Sequence, residues 1–75
     1  MRRNPKNDEL RAILTEARKA QGLTQTQLAM KLGRSQAMVS SYEGGQRRLD
    51  VGEFIEIARV LGLDPVAVVA DLNRR

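Results

Sequence analysis

The sequence predicts an all-α fold in which five short helices pack as one compact domain. Three observations lead there. Apolar residues recur at helical spacing along nearly the whole chain, and nowhere does apolar–polar alternation run long enough for a strand. Thr24, Asp50 and Asp64 each stand between a leucine and an apolar stripe, the arrangement of a helix N-cap with its hydrophobic staple. Gly22, Gly33, the pair Gly44-Gly45, and Gly62 fall just after four of the stripes, where helices end.

Leu10, Ile13, Leu14, Ala17 and Ala20 share one face of a first helix, with Asn7 or Asp8 as its expected cap and Gly22 at its end. The second begins at a capping box, in which Thr24 accepts the backbone N–H of Gln27 and the Gln27 side chain reaches back. Leu23 staples onto Leu28, and Gly33 stops the helix early. Ser35 caps a third short helix, with Val39 and Tyr42 turned inward, which Gly44-Gly45 ends. In the fourth, Asp50 and Glu53 repeat the box and Leu49 staples onto Phe54. Its buried stripe is Phe54, Ile57, Ala58 and Leu61, ahead of Gly62. Asp64 caps the fifth, Pro65 takes the first helical position, where proline is best tolerated, and Leu63 reaches Val68. The expected organisation is a flexible basic arm over residues 1–7, carrying Arg2, Arg3 and Lys6. One domain follows over 8–72, and a tail over 73–75.

Seventy-five residues suffice for a single domain. With one Phe, one Tyr and no Trp, the core must come from Leu, Ile, Val, Ala and Met. The absence of cysteine excludes disulfides and thiolate metal sites, and the absence of histidine removes the usual general base. Glu53 and Glu56, near a helix start, read as partners of the helix dipole rather than as a catalytic pair. No enzyme activity, metal or cofactor is therefore expected. Arg2 and Arg3 are followed by polar residues, not by the apolar run of a signal peptide. The longest apolar run, Val66 to Ala70, falls far short of the ~20 residues that span a bilayer. A soluble, cytoplasmic, nucleoid-associated protein with no membrane partner is the expectation.

Net charge is +4, unevenly spread. Residues 1–48 hold ten Lys/Arg against four acids, a net of +6, whereas residues 49–75 hold three against five, a net of −2. The first part suits a polyanion, although a solvated basic face has the same composition.

The stretch from Gln25 to Gly44 carries a more specific signal. Two helices crossing steeply through a turn of a few residues come very close together. The inner position of the first must be small, which Ala29 provides. The turn needs positive φ, which Gly33 provides. Val39, backed by Leu28, Leu32 and Tyr42, anchors the second helix. With the helix before it and the two after, this stretch resembles the lambda-repressor/Cro-like, XRE-type helix-turn-helix regulators over roughly residues 8–72.

The resemblance implies a lambda-repressor-like domain that lays its third helix in the major groove of double-stranded DNA. Gln36 matches the leading base-reading position and suits the N6/N7 edge of adenine. Ala37, Ser40 and Ser41 take the other groove-facing positions. Gln25 matches a phosphate-binding glutamine that can also brace the first reading residue, and Ser35 is a further phosphate candidate. Arg18 and Glu43 match a pair often salt-bridged in the family. Arg34 departs from the pattern, standing where a small or apolar residue is common, and can extend outward to a phosphate. Gln46, Arg47 and Arg48 either clamp phosphates beside the groove or form a solvated basic loop. Lys19 and Lys31 read as surface lysines. With Gln36 the only long hydrogen-bonding side chain on the reading face, DNA shape is expected to share in specificity.

So small a unit touches few base pairs, and family members mostly pair across a pseudo-palindrome. The fifth helix is the expected homodimer interface through Leu63, Val66, Val69 and Leu72, with Val68, Ile55 and Val60 as further candidates; the alternative is that this surface is core. No small-molecule effector is expected. Repression by occluding a promoter is the simplest role, as a phage regulator, controller protein or antitoxin. The competing reading is a protein-interaction or bridging module, or an antitoxin-type partner, on the same fold.

Overall fold

The structure, a computed structural model, describes residues 4–75. Among these, five helices form and no strand: α1 (Pro5–Ala20), α2 (Gln25–Leu32), α3 (Gln36–Glu43), α4 (Val51–Val60) and α5 (Pro65–Arg74). None is long and apolar enough to cross a membrane.

Caps set the helix starts. Thr24 Oγ1 accepts from Gln27 N at 3.0 Å while Gln27 Oε1 accepts from Thr24 N at 2.9 Å, closing the box that begins α2. Asp50 and Glu53 do the same for α4, at 2.7 and 3.1 Å. Ser35 Oγ accepts from Met38 N, and Asp64 Oδ1 from Val66 N. Each such cap stabilises by about 1 kcal/mol.

α1 starts earlier than its sequence suggested. Asn4, not Asn7 or Asp8, is the cap: its side chain accepts from Lys6 N, and Pro5 occupies the first helical position. Proline's fixed φ and missing N–H suit that position, so Asn4-Pro5 is the stronger start. Lys6 is thus helical rather than part of an arm; Arg2 and Arg3 lie outside the described residues. The Lys6 ammonium donates to the carbonyl of Leu72, at 2.6 Å, and to the main-chain oxygen of Arg75, at 2.8 Å. A cation so placed satisfies carbonyls that the end of α5 leaves without helical partners and complements its dipole. It also fastens α5, which runs on to Arg74 rather than ending near residue 72, against the start of α1.

The core comprises Leu14, Leu28, Ala29, Leu32, Val39, Tyr42, Phe54, Ile57, Ala58, Leu61 and Val68, drawn from all five helices and the α4–α5 turn. Full burial of each large aliphatic among them is worth about 1.5–3 kcal/mol. α2 packs most extensively on α3, and α4 closes over α2. Ala20, expected on the apolar face of α1, is exposed. Gly33 has φ 67°, and behind it Arg34 N reaches Ala29 O at 3.0 Å, a reversal that an L side chain would strain. Ala29, only 2% exposed, is buried on α2, the helix that packs most extensively on α3.

Candidate nucleic-acid interface

The reversal at Gly33 turns the start of α3 outward. Gln36, Ala37 and Ser40 are exposed, and Ser41 is half-buried, while Val39 and Tyr42 on the opposite face are sealed in the core. An eight-residue helix held by two buried side chains presents its other face rigidly.

Behind that face runs a chain of polar contacts. Arg18, on α1, is nearly buried and pairs with Glu43 at the end of α3: Nε to Oε2 at 2.7 Å and Nη2 to Oε1 at 3.0 Å. This two-pronged geometry is the strongest arginine–carboxylate arrangement. A third donor, Nη1, meets Leu23 O at 2.6 Å. The hydrogen bond to Glu43 dominates the environment of Arg18 and raises its already high pKa against the cost of burial, so the guanidinium stays charged. Glu43 Oε1 also accepts from Gln25 Nε2 at 3.0 Å, and Gln25 Oε1 accepts from Gln36 Nε2 at 2.9 Å.

The direction of this relay is forced. An ionised carboxylate only accepts, so Gln25 must turn its amide nitrogen to Glu43 and its carbonyl to Gln36. Gln36 must then answer with its nitrogen. One N–H and the carbonyl of Gln36 are left to face outward, a donor and an acceptor side by side. The sequence suggested the Gln25–Gln36 brace and the Arg18–Glu43 pair separately; the link between them, Gln25 to Glu43, it did not.

The phosphate candidates divide. Arg47 donates from Nη2 to Glu53 Oε2, and Arg34 Nη1 lies 3.5 Å from the same oxygen. Arg34 Nη2 also lies 4.0 Å from Glu56. Both arginines are partly exposed, but neither is an uncommitted cation. Arg48 is exposed and makes no ion pair or hydrogen bond with another described residue. The Gln46 side chain folds back over Gly44. Ser35 is exposed, with its hydroxyl engaged as the α3 cap.

Two contributors had no clear signal in the sequence. Glu53 announced itself only as a capping residue, since nothing local points to its two arginine partners. Arg11 donates to Asp8 at 2.7 Å and to Glu43 O at 3.3 Å, which ties α1 to the end of α3. Only the former, one helical turn away, is a local pattern. Tyr42 lines a cleft of about 240 Å³ with Arg11, Arg47 and Arg48, but its hydroxyl is sealed and without a partner among the described residues.

On α5, Val66 and Val69 stand 76% and 52% exposed. Leu63 and Leu72 are half-buried against the domain's own core, as are Ile55 and Val60. Val68 is core outright, so it is not available as an interface residue.

A rigid helix presented beyond a tight turn, with a buttressed polar side chain at its start and basic side chains at both ends, defines a helix-turn-helix DNA-binding regulator. The family model for the helix-turn-helix matches residues 14–68. A solved structure of an XRE-family like protein from Pseudomonas syringae pv. tomato is similar over 95% of this chain and 87% of that one, at 45% identity and a TM-score of 0.90. Comparison with curated proteins found no match. The chain belongs to the XRE-type helix-turn-helix family.

Proposed function

We propose that the protein is a transcriptional repressor that binds a palindromic operator as a homodimer, each copy laying α3 in the major groove. The observation that carries this reading is the relay from Arg18 through Glu43 and Gln25 to Gln36. It leaves the Gln36 amide offering one donor and one acceptor, the pattern complementary to N7 and N6 of adenine. Ala37 is suited to a thymine methyl, and Ser40 and Ser41 to either bases or phosphates. Gln25, Ser35, Gln46 and Arg48 are the backbone contacts that set register, with Arg34 and Arg47 as conditional ones.

Pairing through α5 accounts for the exposed Val66 and Val69, which otherwise leave apolar surface in water. Leu63 and Leu72 would flank that contact. A bound dimer would occlude polymerase at a promoter, acting in the cytoplasm on the nucleoid, with no small-molecule effector required.

Selection of bound fragments from a random duplex library at two salt concentrations tests the proposal. Enrichment of an inverted repeat, with affinity falling as salt rises, is expected. Weak, sequence-blind binding with no enriched site would instead favour a bridging or antitoxin-type role through a protein partner.

A further inference from the structure

The α2–α3 turn and the α3–α4 loop each bring an arginine to the same acid. Glu53 Oε2 takes both Arg47 and Arg34, while its other oxygen, Oε1, accepts from Asp50 N at 3.1 Å in the α4 capping box. The Glu53 side chain is only 10% exposed, and Glu56 stands on the outer side of Arg34. The carboxylate is therefore fixed to the scaffold at one oxygen and occupied by two guanidinium groups at the other. Arg34, Arg47, Glu53 and Glu56 together carry no net formal charge.

We propose that Glu53 limits the protein's affinity for DNA: it compensates the charge of Arg34 and Arg47 and so restrains their binding to the DNA backbone. The inference rests on the operator-binding reading. Non-specific affinity comes almost wholly from cations that meet phosphates and release counterions. An arginine held by a carboxylate must share or give up that bond before it serves a phosphate, so each contributes less than a solvated arginine would. Base contacts through Gln36 lose nothing by this arrangement. Phosphates flank every sequence, so the restraint lowers affinity for the operator and for random DNA alike. Arg48, without such a partner among the described residues, is left as the loop's full-strength phosphate contact.

Glu53→Gln separates charge from structure, because glutamine also serves as the third residue of a capping box. The experiment measures affinity for a random-sequence duplex and for the selected operator, each across a salt series, for the wild type and E53Q. E53Q is expected to bind the random duplex roughly tenfold more tightly, the equivalent of one charge-assisted contact. Its salt dependence should steepen by about one unit for each arginine released. Operator affinity should rise by a similar factor, since the same phosphate contacts serve both duplexes. Arg34→Gln should then matter more in the E53Q background than in the wild type. Equal affinity and equal salt slope for E53Q and wild type would overturn the role of Glu53 while leaving DNA recognition intact. Weaker binding to both duplexes with an unchanged slope would overturn it too, marking Glu53 as structural. If neither protein binds any duplex, the operator-binding reading fails first and the proposal falls with it.

Discussion

Gln36 donates from Nε2 to the side-chain carbonyl of Gln25 at 2.9 Å, and Gln25 is itself held by Glu43. The exposed amide at the start of α3 is thus oriented by a carboxylate it never touches. Ordering a glutamine on binding costs side-chain entropy, and a side chain already held in place has less to lose.

Gln36→Ala is expected to weaken operator binding by about 1–3 kcal/mol while leaving random-sequence binding nearly intact. Gln25→Ala should produce part of the same loss. In a double-mutant cycle on operator affinity, the two should couple by about 0.5–3 kcal/mol. Strict additivity would mean that the bond between them transmits nothing to the DNA.

The Arg18–Glu43 pair is embedded between α1 and α3, with side-chain exposures of 11% and 6%. Arg18→Met leaves the Glu43 carboxylate without its main partner and should cost about 3–5 kcal/mol in denaturant unfolding. Replacing both residues with apolar ones should recover much of that, since no charge is then left stranded. A loss no larger than that of an ordinary surface substitution would show that water compensates Glu43.

Burial holds the Tyr42 hydroxyl protonated, raising its pKa well above the ordinary 10.0, with the nearby Glu43 charge acting in the same direction. Because the folded pKa is the higher one, its contribution to stability is complete below pH 10.0 and declines above it, as the unfolded chain ionises and the folded chain does not. Tyr42 is the single tyrosine, so an ultraviolet titration reports it alone. Tyr42→Phe should abolish that component of the alkaline loss. At neutral pH it should leave stability unchanged or raise it by about 1 kcal/mol, because the hydroxyl it removes has no partner among the described residues. A clear destabilisation would reveal a water bound to that hydroxyl.

Ala29→Leu would force a larger side chain between α2 and α3 at a site 2% exposed. Overpacking of this kind costs about 1–3 kcal/mol and should lower the melting temperature. The angle of the recognition helix would shift with it, so specific binding should fall by more than the stability loss alone explains. An unchanged melting temperature would mean the two helices can part without penalty.

Val69→Glu places a charge on exposed α5 surface, so folding stability should change by no more than about 0.5 kcal/mol. Sedimentation should then show a monomer at concentrations where the wild type is dimeric. Operator affinity should fall toward that of a single half-site. A wild type that stays monomeric at all concentrations would remove α5 as the pairing surface.

The sequence by itself determined where the helices are. Thr24 with Gln27, and Asp50 with Glu53, lie within one turn of each other, so the bonds that start those helices form wherever the rest of the chain goes. The same is true of Gly33, whose positive φ is a demand of the local backbone. The start of α1 at Asn4-Pro5, ahead of the Asn7 or Asp8 expected as its cap, is a local signal too. Only the tertiary structure decided which charges meet. Whether Arg34 and Arg47 reach solvent or Glu53 depends on how α4 docks beneath the turn, and whether Gln25 reaches Glu43 depends on the crossing of α2 and α3. Long polar side chains have many rotamers and no periodic signature, so their partners are set by distances between helices rather than by spacing along one. The same holds for α5: the helical period marks its valines as apolar, but the docking of its axis made Val68 core and left Val66 and Val69 exposed.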